Sequence, residues 1–229
     1  PKDLSFSGMD ITGGTILYAD DTTGKAIRLD DVDLHLAVTR LDAPAALSGH
    51  FAYLGHKIAI DGRMTTLQSL SQGAATALAL SLKSELGDVS FDGSLAADRS
   101  LGGALKADVP SARKLGAWLG KDLPAGGGLG KLSLSAKIAH TTGLTEFTGL
   151  RLALDGATVT GLLSVETGGV RPRVTGQLAA GPLDLNPYMQ TGAQAGAATP
   201  VQGWSKAPIA VDALRKFDAD LSFTVQSLL

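Results

Sequence analysis

The side chains in this sequence that could perform chemistry include three aspartates that each precede a glycine. They stand in Asp61-Gly62, Asp92-Gly93 and Asp155-Gly156. A pair of such carboxylates could act as acid and base in glycoside hydrolysis if the fold held them at the required separation. Turn and bulge positions explain an Asp-Gly pair better, because both residues tolerate the backbone angles that turns need. The sequence therefore predicts no catalytic residue.

The histidines are His35, His50, His56 and His140. His50 and His56 flank a predicted turn at Leu54-Gly55, and none of the four has the spacing of a metal-binding motif. The chain has no cysteine, which excludes a disulfide framework, a thiolate zinc site and a cysteine nucleophile. We expect no bound metal and no cofactor.

The common catalytic motifs of hydrolases, metalloproteases and nucleotide-binding proteins do not occur in the sequence. A glycine-rich stretch at 126–131 superficially resembles a phosphate-binding loop. It leads into a predicted strand and not into a helix, so the helix dipole that favours phosphate is missing. We interpret it as a flexible connection between strands, and the chain as a non-enzymatic protein.

The composition of the chain argues against nucleic acid as a partner. The chain has 229 residues, with 20 basic and 22 acidic side chains and a net charge of −2, so it has no field to attract nucleic acid. Charged residues make up 18% of the chain, and the mean hydropathy is +0.16. No segment approaches the ~18 consecutive apolar residues of a membrane-spanning helix. Because Pro1-Lys2-Asp3 lacks an initiator methionine, we expect the chain to be a segment of a larger protein.

The dominant pattern is alternation of apolar and polar residues, which places every second side chain on one face of a β-strand. The clearest runs are 32–38, 78–82, 132–138, 150–154 and 221–225. Short turn segments such as 21–24 and 141–143 separate the runs. We therefore expect a mainly β protein with about a dozen strands joined as an antiparallel meander.

A second pattern, apolar-any-Gly-any-apolar, lies on top of the alternation. Its copies are 47–51, 60–64, 91–95, 101–105, 159–163 and 174–178. In each copy the glycine shares a face with the two apolar residues, so that face lacks a side chain in mid-strand. Glycine within a strand marks a bend, a bulge or a close approach. The pattern leaves open both the tight bends of an ordinary sandwich and a strongly curled sheet.

Two segments break the β pattern. Pro110 precedes Leu115, Trp118 and Leu119 at helical spacing, and Gly120 provides a stop, so we predict a short amphipathic helix over 110–120.

A cap and a proline predict one helical turn at 186–190, followed by a mobile loop over 191–203. Residues 211–216 could form another turn before the last strand, which we expect to rejoin the same sheet. The chain is thus expected to be one domain.

An apolar sheet face must be covered by another sheet, by helices or by an apolar ligand. Helices are too few in this sequence. The apolar residues are mainly Leu, Val, Ile and Ala, with 5% aromatic residues, which suits acyl chains better than sugars. The remaining choice is between a sandwich and a curled sheet that holds a lipid.

Three stretches carry a resemblance to a known family. The first comprises 13–21, Gly24, Leu29 and 44–49; the second comprises 91–93, 110–111, Leu115 and 118–120; the third comprises 176–178, 183–188, 204–205, 208–209, Leu214 and 217–221. In order and spacing they resemble the AsmA family of bacterial periplasmic proteins, which is similar in architecture to the bridge-like lipid-transfer proteins of eukaryotes. The resemblance covers nearly the whole chain.

The resemblance implies a long antiparallel curled sheet forming a U-shaped groove, with one or two short helices and 1–229 as one segment of a larger periplasmic region. It implies an inner-membrane anchor outside this chain, phospholipid or another acyl lipid as partner, possible envelope protein partners, and no catalytic residues. The residues expected to face the groove are Leu34, Leu36, Ile58, Ile60, Leu78, Leu80, Leu82, Phe91, Leu95, Leu132, Leu134, Ile138, Leu150, Leu152, Leu154, Val174, Leu178, Leu221 and Phe223.

Three functions follow from these observations. The first is a non-enzymatic lipid conduit between the inner and outer membranes. The second is a scaffold that aids outer-membrane protein assembly by strand addition at its edges. The third is an enzyme or glycan-binding module that uses the aspartates with Trp118 or Trp204, although both tryptophans are better explained by packing.

Overall fold

The part of the chain that the structure describes is mainly β, with one open, curled sheet and three short helices. The computed structural model describes residues 8–20, 25–121, 123, 127–184, 186–189 and 217–228. The predicted loop over 191–203, the predicted turn over 211–216 and Trp204 lie outside these residues. Among the described residues, no helix is long and apolar enough to cross a membrane.

Among the described residues, twelve strands and three helices follow one another in sequence. The strands are β1 (Met9–Asp20), β2 (Lys25–Val38), β3 (Ala45–Tyr53), β4 (His56–Met64), β5 (Thr76–Ser84), β6 (Gly87–Leu95), β7 (Leu101–Val109), β8 (Leu132–Thr141), β9 (Leu144–Leu154), β10 (Ala157–Glu166), β11 (Arg173–Leu183) and β12 (Asp218–Leu228). The helices are α1 (Leu67–Ser71) after β4, α2 (Ala112–Trp118) after β7 and α3 (Asn186–Met189) after β11.

The strands lie side by side in chain order from β1 to β12. Neighbours from β1 to β11 are antiparallel, as the short turns predict. Two turns consist of two residues with positive φ, Leu54-Gly55 and Asp155-Gly156, which is the geometry of the tight hairpins that match strand twist.

The last strand rejoins the sheet, as expected, but it pairs with β11 in parallel and not antiparallel. A parallel pair needs a crossover of a dozen or more residues. The long connection between β11 and β12, which begins with α3, meets that requirement. Asp218 therefore starts beside Arg173, at the same end of the sheet at which β11 starts.

The strand register keeps the apolar side chains of successive strands on one face. One row across the sheet runs Leu80, Phe91, Leu105 and Ala136, each paired with the next on the neighbouring strand. We call this side of the sheet the apolar face and the other side the polar face. The six glycines of the repeated motif also lie on the apolar face.

Bulges keep the apolar side chains on the apolar face where, within one strand, they switch between odd and even positions. In β2 the apolar residues are odd-numbered up to Leu29 and even-numbered from Leu34, and the register shift falls at Asp31, whose φ is 49°. Gly13 and Gly149, with φ of 57° and 58°, lie at the corresponding shifts in β1 and β9. An extra residue at a bulge returns the following side chains to the apolar face.

The helices agree with the sequence in part. Helix α2 begins after Ser111, whose side chain accepts a hydrogen bond from the Lys114 amide, and it is shorter than the predicted 110–120. The predicted single turn at 186–190 is α3. Helix α1 makes a third helix where one or two were expected, and its signal in the sequence is the N-cap Thr66.

Five of the six motif glycines mark close approaches between strands, and Gly62 is the exception. A Cβ on Gly93 would lie 2.1 Å from the Gly102 carbonyl oxygen, and Cβ atoms on Gly49 and Gly161 would lie 2.0 Å from carbonyl oxygens of the neighbouring strands. Phe91, 8% exposed, fills the remaining space, because its Cζ lies 2.7 Å from the Cβ position of Gly93 and 2.8 Å from that of Gly103. The glycines therefore permit tight bending and do not leave an open gap.

We expect Gly93→Ala to lower the free energy of unfolding by about 1–3 kcal/mol, because the added methyl group displaces backbone of the next strand. Gly62→Ala is the matched control, since its Cβ would meet Leu47 and Leu80 side chains at ordinary distances of 3.5 and 3.6 Å. Urea denaturation of both variants measures the difference. Equal losses would show that close approach is not the reason for glycine at position 93.

Candidate functional site

The candidate site is the apolar face. Every residue expected from the sequence to line a groove lies on it, although these residues come from eight different strands. The register adds residues that the list from sequence omits, among them Phe51, Leu105 and Phe147. Their own strands show the same alternation, so the signal for them is present in the sequence.

Coverage of the apolar face is partial. Phe91, Val109 and Ala136 are buried, whereas most leucines of the central strands are only half-buried. On the last strand Leu221 and Phe223 are 46% and 51% exposed. Among the described residues no second sheet lies on this face, and the longest helix has seven residues. Within the described residues the face is therefore an open apolar surface and not the interior of a sandwich.

One end of the apolar face is bridged by α2. The indole N–H of Trp118 donates to the Tyr53 carbonyl at 3.1 Å, and its ring meets those of Tyr53 and His56 edge-on at 5.5 and 5.9 Å between centroids. Trp118 thus ties the β7–β8 connection to the β3–β4 turn, across the ends of the strands between them. This packing agrees with the interpretation of Trp118 as a structural residue.

The same end holds a clamp centred on Asp155, in the β9–β10 turn. Its carboxylate accepts hydrogen bonds from the Leu129 amide at 2.7 Å, the Gly130 amide at 2.8 Å and the Tyr188 hydroxyl at 2.6 Å. The Tyr188 bond is the main reason that the pKa of Asp155 is lowered. The reciprocal bond raises the pKa of Tyr188 to about 12. Asp155 therefore fastens α3 and the α2–β8 loop to the sheet.

The contacts of Asp155 also bear on the resemblance of the glycine-rich loop to a phosphate-binding loop. The amides of Leu129 and Gly130, which a phosphate would need, donate to Asp155. The described part of the loop, 127–131, leads into β8, as the sequence predicts. It connects two strands, as predicted, but the interpretation as a flexible connection is wrong for Leu129 and Gly130, because Asp155 fastens them.

The opposite end of the apolar face carries a small apolar cavity. It has a volume of about 290 Å³ and is lined by Met9, Leu36, Val38, Leu41 and Leu67. Leu67 of helix α1 forms part of its wall, and the Thr66 hydroxyl and the Gln68 amide, which both donate to the Leu41 carbonyl at 2.8 Å, hold the start of the helix there. The cavity is a place where the apolar face is partly enclosed.

The polar face also has a hollow, of about 620 Å³, between β4 and β7. A twisted sheet is saddle-shaped, so both of its faces can be locally concave. Asp61, Arg63, Asp92 and Lys106 border this hollow, and the charges of both signs make it unsuitable for acyl chains. Asp61 and Asp92 border it from β4 and β6, with β5 between them, whereas Asp155 lies at the end of the sheet and is held by Tyr188.

The histidines do not form a shared site. His50 lies on the polar face and His56 on the apolar face, where its Nδ1 is 2.7 Å from Glu85 Oε1. His35 and His140 lie against Asp10 and Thr145. Among the described residues one group could hold a metal ion, Asp31, Asp33 and His50 on the polar face.

The fold and the face define a class, the single-sheet curled β protein with a half-covered apolar side. Comparison with protein-family models, with curated proteins and with solved structures finds no match to this chain.

We expect Asp155→Asn to lower the free energy of unfolding by about 1 kcal/mol at pH 7, since the amide replaces one acceptor oxygen and the clamp is solvent-exposed. Because the folded pKa of Asp155 lies below its ordinary value of 3.8, its stabilisation is present above that value. It is lost as the pH falls through the folded pKa. Urea denaturation from pH 7 to below pH 3.8 measures both effects.

The difference in the free energy of unfolding between the original chain and Asp155→Asn should therefore become smaller in acid. Tyr188→Phe is the control, because it removes one of the three donors and should cost less. If this difference in the free energy of unfolding had the same size at every pH, it would contradict the stabilising role of the Asp155 carboxylate.

Proposed function

We propose that this chain is a non-enzymatic lipid-binding segment that shields the acyl chains of phospholipids during traffic between the inner and outer membranes. The observation that supports it is the apolar face, which extends across the whole sheet without a second layer among the described residues. An apolar ligand is the cover that remains when the described residues supply neither a second sheet nor a layer of helices.

The energetics favour acyl chains over polar ligands. Each methylene group removed from water contributes about 0.8 kcal/mol, so a two-chain lipid needs no specific polar contact to be held. The side chains of the face are mainly aliphatic, and charged groups lie on the opposite side. Head groups would remain in water along the open margins, where β12 is exposed.

The resemblance to the AsmA family supports the same proposal and adds a location, the periplasm. A periplasmic segment tethered to the inner membrane by an anchor outside this chain would meet phospholipid at both membranes. Envelope proteins are then further proposed partners.

Lipid retention tests the proposal directly. The chain is purified from a Gram-negative host without detergent, and native mass spectrometry with lipid extraction measures bound phospholipid. We expect stoichiometric phospholipid, because the half-covered face would otherwise meet water. A lipid-free, stable monomer that also fails to take up phospholipid from vesicles would overturn the proposal.

A matched pair of variants on β12 tests the face itself. Phe223 lies on the apolar face and is 51% exposed, so Phe223→Asp should fold, and the adjacent Thr224 lies on the polar face. We expect Phe223→Asp to lower the phospholipid retained, since a charge is placed beside the acyl chains, and Thr224→Asp to retain it. Equal retention by both folded variants would count against binding on the apolar face.

The sheet edges favour a second candidate, a scaffold for outer-membrane protein assembly. Strands β1 and β12 have a described neighbour on one side each, and Leu17, Tyr18 and Leu228 on them are more than half exposed. Unpaired edges accept strands from other chains. Envelope proteins crosslinked to these edges in a lipid-free preparation would favour this function over lipid binding.

A further inference from the structure

We propose that Asp31, Asp33 and His50 form a site for a divalent metal ion of the Zn²⁺ type on the polar face. Their ligand atoms, one from each side chain, lie within 4.8 Å of one another. His50 Nε2 is 3.2 Å from Asp33 Oδ2 and 3.7 Å from Asp31 Oδ2. The proposal is independent of lipid binding, because the three residues lie on the side of the sheet away from the apolar face.

The distances suit a shared ion. Ligand atoms about 2.0–2.2 Å from one zinc ion at a tetrahedral angle are about 3.4 Å apart, and the two distances from His50 lie on either side of that value. The Asp31 side chain is 64% exposed, so it can rotate to complete the set. Three protein ligands leave a fourth position for water or for another ligand.

Backbone irregularities in two strands converge on this group. The β2 bulge puts Asp31, at φ 49°, beside Asp33, while Val32 between them is fully buried. From the edge strand, the Gly13 amide donates to Asp33 Oδ1 at 2.7 Å, at the β1 bulge. That bond orients the carboxylate so that Oδ2 is the oxygen nearer His50, which is the role of a supporting contact at a metal ligand.

The ligand types select the metal. Two carboxylates with one imidazole nitrogen suit zinc and its neighbours in the first transition row, whereas Mg²⁺ and Ca²⁺ prefer oxygen ligands throughout. The residues come from β2 and β3, and Gly13 belongs to β1. A bound ion would therefore brace the first three strands of the sheet, near its edge.

Isothermal titration calorimetry with ZnCl₂ tests the site, on a chain that carries no polyhistidine tag. We expect one saturable site, an affinity at least tenfold weaker in both His50→Gln and Asp33→Asn, and weaker binding of Mg²⁺ than of Zn²⁺. The control is His35→Gln, because His35 pairs with one carboxylate, Asp10, at 2.6 Å on the same region of the sheet. It should leave the affinity unchanged.

All of these positions are solvent-accessible, so circular dichroism is expected to show folded variants. Absence of saturable zinc binding, unchanged affinity in His50→Gln, or an equal loss in His35→Gln would overturn the proposal. In each of those cases Asp33 and His50 contact each other without holding a metal ion. A rise in the thermal unfolding midpoint with ZnCl₂, present in the original chain and absent in His50→Gln, would support the brace.

Discussion

Register between neighbouring strands is the constraint on which the rest of this structure depends. Side chains alternate between the two faces, so a slip of one residue in any strand pair would move that strand's apolar set into water. Eleven successive pairings hold the apolar face together from β1 to β12. Where the sequence changes phase, at Gly13, Asp31 and Gly149, a bulge absorbs one residue and restores the alignment.

A single layer leaves that aligned face only partly covered. The three described helices, of five, seven and four residues, are too short to be stable alone and too few to form a layer. They lie instead at the strand ends, held there by tertiary contacts such as those of Trp118 and Tyr188. The missing side chains of Gly49, Gly93 and Gly161 permit close approaches between strands in the part of the sheet between those ends. The result is a curled apolar surface on which the helices cover the strand ends more than the edge strands β1 and β12 are covered.

The bulge at Asp31 links the two faces of the sheet. On the apolar side it allows Val32 to be fully buried and keeps Leu34 aligned with its neighbours. On the polar side it places two carboxylates near one imidazole. One local irregularity thus serves the register and also produces the group of side chains that we propose as a metal site, as is common for bulges in sheets.

The sequence by itself determined the class of fold, the approximate number of strands, and the membership of the apolar face. Alternation is a local property, and each strand reports which of its residues lie together. The helical turn at Asn186 and the helix ending at Trp118 are likewise visible from capping residues and spacing. The parity of the motif glycines showed which face they occupy, although not what lies against them.

Only the tertiary structure decided how those strands are arranged and what their ends contact. The parallel pairing of β12 with β11 is such a case, because alternation within a strand is the same for a parallel and an antiparallel partner. The clamp of Asp155 on Tyr188 and the approach of Asp31 to His50 join residues from separate elements. The choice between a sandwich and a single curled layer was also open in the sequence, because both present the same alternation and differ only in what packs against the apolar face.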